Sequence, residues 1–187
     1  MRIPRAARHP RARSRIPDAV CISERPAQVE DRATVGHWEG DLLCGDHTSQ
    51  VATLVERKSR FLKLVKVSSK STDDVVTSLS KHVCELPMDL RRSLTWDRGI
   101  EMTNHKAFTR ATSVPVYFCD PQSPWQRGSN ENTNGLLRQY LPKGHDLSIF
   151  SQEELDMIAT RLNRRPRKTL DFRTPAEVLS QNGAPTG

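Results

Sequence analysis

The sequence predicts a mixed α/β fold: a five-stranded sheet, built from a three-stranded antiparallel meander and two further strands, flanked by helices. Three observations predict it. A strand-like run at 37–44 is followed, across short polar connections, by two Val-, Leu- and Thr-rich runs at 50–56 and 60–67. Two more apolar runs, at 93–96 and 114–119, alternate with segments of helical spacing. Capping signals then open two late helices, at Ser151 and Thr174.

Each element has its own local reason. The turn Arg57-Lys-Ser-Arg60 joins the second and third runs as a hairpin. Ser71 or Thr72 caps a helix whose Val75, Val76, Leu79, Val83 and Leu86 recur at helical spacing, and Pro87 stops it. A short helix is expected from Asn104 to Arg110, and another from about Ser129 to Leu141. Ser151-Gln-Glu-Glu154 is a capping box, with Leu155, Ile158, Ala159 and Leu162 on one face behind it. Thr174-Pro-Ala-Glu177 repeats the device, with Pro175 at the first helical position.

The chain has 187 residues and a formal net charge of +7, so one domain with attachments and a polyanionic partner, nucleic acid first, are expected. Residues 1–35 are rich in Arg and Pro without hydrophobic period and read as a disordered or extended basic arm. A folded domain would cover 36–182, and 183–187 would be a tail. No run approaches a membrane span, and the Arg-rich start lacks the apolar core of a signal peptide, so a cytoplasmic protein is expected. Cys21, Cys44, Cys84 and Cys119 form no Cys-x-x-Cys pair; reduced, mostly buried thiols and no zinc site are expected.

Three carboxylates carry the candidate chemistry. Asp41 lies in the first strand, Asp97 at the C-terminal end of the fourth, and Glu131 on the helix after the fifth. If the first and fourth strands are neighbours, the two aspartates can share a hard divalent cation, Mg²⁺ or Mn²⁺, and the helix can bring Glu131 to a second ion. Two such ions about 3.5–4 Å apart stabilise the attacking and leaving oxygens of an in-line phosphoryl displacement. Most single carboxylates are solvated, and Glu39, Asp46, Glu101 and Asp120 lie close by. Asp46 reads as a turn residue, while Glu39 shares a strand face with Asp41. Trp38 and Trp96 read as core, and His37 and His105 as ordinary histidines without a chemical role.

Longer motifs run through the same segments: Trp38-Glu-Gly-Asp41, Leu54-Val-Glu-Arg-Lys-Ser-Arg60, Leu94-Thr-Trp-Asp-Arg-Gly99 and Tyr117-Phe-Cys-Asp-Pro121. Ser123-Pro-Trp-Gln-Arg-Gly128, Asn130-Glu-Asn-Thr-Asn-Gly135 and Arg165-Pro-Arg-Lys-Thr-Leu170 continue the series. Together, over roughly residues 17–180, they resemble the catalytic domain of IS30-family transposases, within the retroviral-integrase-like DDE superfamily.

The resemblance implies an RNase H-like fold with Asp41, Asp97 and Glu131 as an Asp-Asp-Glu triad holding two Mg²⁺ or Mn²⁺ ions. The 33 residues between Asp97 and Glu131 match the family spacing. It also implies DNA as partner, both element ends and target, a homo-oligomer as the active assembly, and strand cleavage followed by strand transfer. Candidate DNA contacts are Trp125, Gln126, Arg127, Asn134, Arg138, Lys143, Arg164, Arg165, Arg167 and Lys168. Family members carry helix-turn-helix regions ahead of this domain and none is legible here, so a truncated copy is expected. Two other readings stand beside it: an RNase H-like nuclease that only hydrolyses, and a DNA-binding remnant that modulates an intact transposase. The segment 120–129 is expected to be a mobile loop beside the site, which could leave Glu131 away from its aspartates without DNA.

Overall fold

The computed structural model describes residues 16–25, 32–46, 49–120 and 123–183. The strands are β1 (His37–Cys44), β2 (Gln50–Glu56), β3 (Leu62–Lys66), β4 (Ser93–Trp96) and β5 (Val116–Phe118). The helices are α1 (Thr72–Cys84), α2 (His105–Thr112), α3 (Gly128–Leu137), α4 (Gln152–Asn163) and α5 (Pro175–Gly183). The sheet order is β3-β2-β1-β4-β5. β1, β2 and β3 form an antiparallel meander, while β4 and β5 add in parallel beyond β1. This is the expected mixed five-stranded sheet.

Both faces of the sheet are covered, which is why β2 is buried throughout, its polar Gln50, Thr53 and Glu56 included. The side-chain period of two divides it: Ala52 and Leu54 face one cluster with Val75, Val76 and Leu79 of α1 and Phe108 of α2. Val51 and Val55 face the other, with Leu137 of α3 and Leu155, Ile158 and Leu162 of α4. Trp38 and Trp96 are core, as expected. The Trp38 indole N–H donates to Leu90 O at 2.7 Å. Ser71 caps α1, and Ser151 forms a complete capping box with Glu154 at the start of α4.

Some boundaries differ from the sequence reading. β3 begins at Leu62, because Arg60 adopts a left-handed backbone (φ 61°) in the turn. That turn is held by Glu56, whose Oε2 accepts from Ser59 N and Oγ, both at 2.6 Å. α3 ends at Leu137, and its last carbonyls are taken by tighter turns over 138–141. Residues 16–25, read as part of a disordered or extended arm, lie against the sheet: Ile16 and Ile22 are buried and Phe118 N donates to Val20 O. The rest of the expected arm, 1–15 and 26–31, and residues 184–187 of the expected tail lie outside the described residues. Lys58 ties the segment before β1 to α5, donating to Ala33 O and Asn182 Oδ1, each at 2.7 Å. The cysteines are free, but only Cys119 is buried; Cys44 and Cys84 are exposed and Cys21 half-buried. The expectation of mostly buried thiols is corrected, because Cys44 and Cys84 end their strand and helix where chain turns to solvent. Among the described residues no helix is long and apolar enough to cross a membrane.

Candidate active site

Asp41 stands on β1 opposite Thr53 of β2, and β1 runs parallel to β4 with Glu39 beside Thr95. Carrying that register on by two residues sets Asp41 next to Asp97, just past the end of β4. Two carboxylates thus meet where the parallel pairing of β1 with β4 ends, at the C-terminal end of β4, where open α/β sheets leave room for a ligand. The strands approach closely because Gly40 has no side chain: a Cβ there would lie 2.2 Å from the Trp96 ring.

Arg127, immediately before α3, clamps the pair. Its guanidinium lies 3.2 Å from Asp41 Oδ1 and 3.5 Å from Asp97 Oδ2. Backbone N–H groups aim both carboxylates: Leu42 N donates to Asp41 Oδ1 at 2.9 Å and Gly99 N to Asp97 Oδ1 at 2.8 Å. Burial raises the Asp41 pKa, and the Arg127 charge offsets this only in part. Burial also works against the Arg127 charge, but Asp41 and Asp97 outweigh it and its pKa is raised.

α3 is riveted to β1 by two asparagines one turn apart. Asn130, fully buried, donates its backbone N–H to Glu39 Oε2 (3.0 Å) and its side-chain amide to Glu39 O (3.1 Å). Its Oδ1 accepts from Thr53 Oγ1 at 3.0 Å. Asn134 donates to Asp41 Oδ2 at 3.1 Å. Four residues of helix rise about 6 Å and two residues of strand about 6.6 Å, so Asn130 and Asn134 match Glu39 and Asp41 rung for rung. Glu39 also pairs with Arg57 at 3.7 Å in the interior.

The structure brings Asp41 and Asp97 together but not Glu131, which is exposed on α3. Among the described residues no three His, Cys, Asp or Glu side chains gather as a metal site. The donor set nonetheless fits one hard divalent ion. Two oriented carboxylates already hold a cation between them, and Asn134 Oδ1 is buried beside Asp41 without a hydrogen-bond partner among the described residues.

The remaining candidates divide. Gln126 is turned inward: its Oε1 accepts from Asp120 N at 2.8 Å and its Nε2 donates to Asp120 Oδ2 at 2.9 Å, closing the loop. Arg138 donates to Cys44 O at 2.9 Å. Lys143, Arg164, Arg165 and Lys168 are exposed and Arg167 is half-buried, while the Trp125 side chain lies outside what the structure describes. Asn130 was absent from the expected site, although its spacing from Asn134 against that of Glu39 from Asp41 was a signal for it.

Residues 31–124, half of the chain, match the integrase core domain. The chain belongs to the integrase core domain family. The mixed sheet is consistent with the RNase H-like fold of this core. The chain is 53% identical over 165 residues to the transposase InsI for insertion sequence element IS30A of Escherichia coli, covering 88% of this chain and 43% of that one. It is 53% identical over 181 residues to the transposase for IS1086 of Cupriavidus metallidurans, covering 96% of this chain and 53% of that one. The transposase for IS4351 of Bacteroides fragilis is 36% identical over 167 residues, covering 89% and 51%. The chain therefore spans about half the length of the curated relatives it matches.

Proposed function

We propose that this integrase core carries out metal-dependent DNA strand cleavage and strand transfer as the catalytic domain of a transposase. The observation that carries the reading is the Asp41–Asp97 pair on adjacent parallel strands, bridged by the guanidinium of Arg127, which balances only one of the two charges. Asp41 and Asp97 would hold Mg²⁺ or Mn²⁺, and Glu131 would complete the set for a second ion. When bound, such ions activate the attacking oxygen and stabilise charge developing on the phosphate.

The chain's own residues supply position. The β1–β4 register fixes the spacing of the aspartates, and Leu42 N and Gly99 N fix their direction. Asn134 holds α3 against Asp41, and Glu131, three residues earlier on the same helix, would turn toward the aspartates through a new rotamer. Arg127 must then release at least one carboxylate, and a phosphate diester is the natural new partner for its fork. DNA is the proposed substrate, as element end and as target, and a homo-oligomer holding two ends is the proposed assembly.

The test is a duplex with a pre-cut 3′-OH end, incubated with supercoiled plasmid and Mg²⁺ or Mn²⁺. Joined product with the natural chain, and none with Asp97→Asn, is expected. Persistent hydrolysis without joining would instead identify a nuclease.

A further inference from the structure

On the flank of α3 away from Asp41 lies a cavity of about 370 Å³, lined by Arg32, Arg60, Arg167, Ser129, Asn132 and Thr133, with Gly128 and Thr169 at its edge. Among the described residues no lining side chain is acidic, and the carboxylates nearby are engaged elsewhere: Glu56 with the 58–59 turn and Gly36 N, Glu39 with Asn130 and Arg57. Arg60 reaches across to hydrogen-bond Ser129 Oγ, and Arg167 is half-buried with an Nε lacking a hydrogen-bond partner among the described residues. Three guanidiniums gathered round a polar hollow repel one another and present many donors, which is the chemistry of a phosphate receptor. Burial, then Arg32, lower the Arg60 pKa, so this charge gains from an anion nearby.

The helix geometry joins this hollow to the carboxylates. Asn130 and Asn134 face the sheet, while Ser129, Asn132 and Thr133 face the cavity. Gly128, Glu131, Asn132 and Gly135 form the exposed ridge between the two sides. Neither ridge glycine has a positive φ, and a Cβ at either would meet nothing within 4 Å. Glycine weakens a helix, and here neither conformation nor crowding asks for it. Its effect is a low ridge over which another backbone can pass closely.

We infer that the Arg32–Arg60–Arg167 cavity is a receptor for a DNA backbone phosphate, holding a strand that crosses the α3 ridge from the Asp41–Asp97 side. A helix with its side chains is about 10–12 Å across. The phosphate so held lies a few nucleotides from the one facing the carboxylates. This rests on the reading of the chain as a DNA-processing core.

The test is DNA binding by fluorescence anisotropy with a labelled duplex in EDTA, across a salt series, so that no catalysis is required. Arg60→Gln with Arg167→Gln should weaken binding at least tenfold and flatten the log K against log salt slope by about 0.9 for each phosphate no longer neutralised. Lys81→Gln, on α1 across the sheet, should leave both unchanged. Asn132→Asp, an exposed change that puts an internal anion at the rim, keeps the test open if the arginine variants fold poorly. It should preserve or raise the thermal midpoint while weakening DNA binding. DNA binding and slope unaffected by these changes would overturn this inference alone. So would displacement of inorganic phosphate with no effect on DNA, which would make the cavity a free-phosphate site. No DNA binding by the natural chain would overturn both this inference and the proposed function.

Discussion

Asn134 donates to Asp41 Oδ2 across 3.1 Å, one helical turn after Asn130 makes the equivalent bonds to Glu39. The two rungs differ in burial and in number of bonds, and so should their removal. Asn130→Ala removes one buried bond from Thr53 Oγ1, which keeps Asp41 O, and one from the Glu39 carbonyl, so a loss of about 2–3 kcal/mol is expected in urea unfolding. Asn134→Ala removes one bond at a partly solvated carboxylate and should cost about 1 kcal/mol or less, while impairing strand transfer more than binding. Equal stability losses would mean that α3 is not docked by a buried rung and an open one.

Arg127 should compete with divalent ions for the aspartates. Its guanidinium is the one positive charge seen touching both carboxylates among the described residues, at 3.2 and 3.5 Å. Arg127→Ala is expected to destabilise the metal-free fold by about 1–2 kcal/mol, since Asp97 is partly solvated and its repulsion partly screened. The same variant should bind Mn²⁺ several-fold more tightly by calorimetry and regain its thermal midpoint at millimolar Mg²⁺. Unchanged Mn²⁺ affinity would show that guanidinium and ion do not share the space.

Cys119 gives a pH prediction. Burial pushes its thiol up to about 11 from 9.0, with Arg127 opposing and Asp97 adding. Between those values the folded chain keeps a proton that the unfolded chain has released, so stability falls as pH rises through this window and is unaffected below it. The full loss is of order 2–3 kcal/mol. Cys119→Ala should flatten that alkaline limb. Mass spectrometry of iodoacetamide adducts at pH 8 should find Cys44 and Cys84, both exposed, modified first. Early modification of Cys119 would contradict its burial.

Gly40→Ala tests the close approach of β1 and β4. The added methyl would lie 2.2 Å from the Trp96 ring, itself fully buried, and neither can retreat without moving a strand. A cost of about 3 kcal/mol is expected, at the upper end of ordinary overpacking. A variant that melts within a degree or two of the natural chain would show that the indole can yield.

Most of the fold was legible because its signals are local. The turn at Arg57–Arg60, the Ser71 cap and the Ser151 capping box act within a few residues, and the structure has each in place. The first two carboxylates were legible because strand position and the order of elements are enough to make them neighbours. What could not be read is what depends on angle and distance. Whether Glu131 faces the aspartates turns on the roll of α3, which is set by Asn130 reaching a residue 91 positions away. The arginine hollow draws on residues from 32 to 169, brought together by tertiary packing alone. Residues 16–25 carry no periodic signal, yet Ile16 and Ile22 find the core.

Lys58 touches Ala33 on one side and Asn182 on the other. Lys58 therefore ties the segment that leads into β1 directly to the last helix, α5. That tie adjoins the arginine hollow, since Arg32, the neighbour of Ala33, lines it. Strain on the segment leading into β1 and strain on α5 would therefore converge on one lysine beside the hollow.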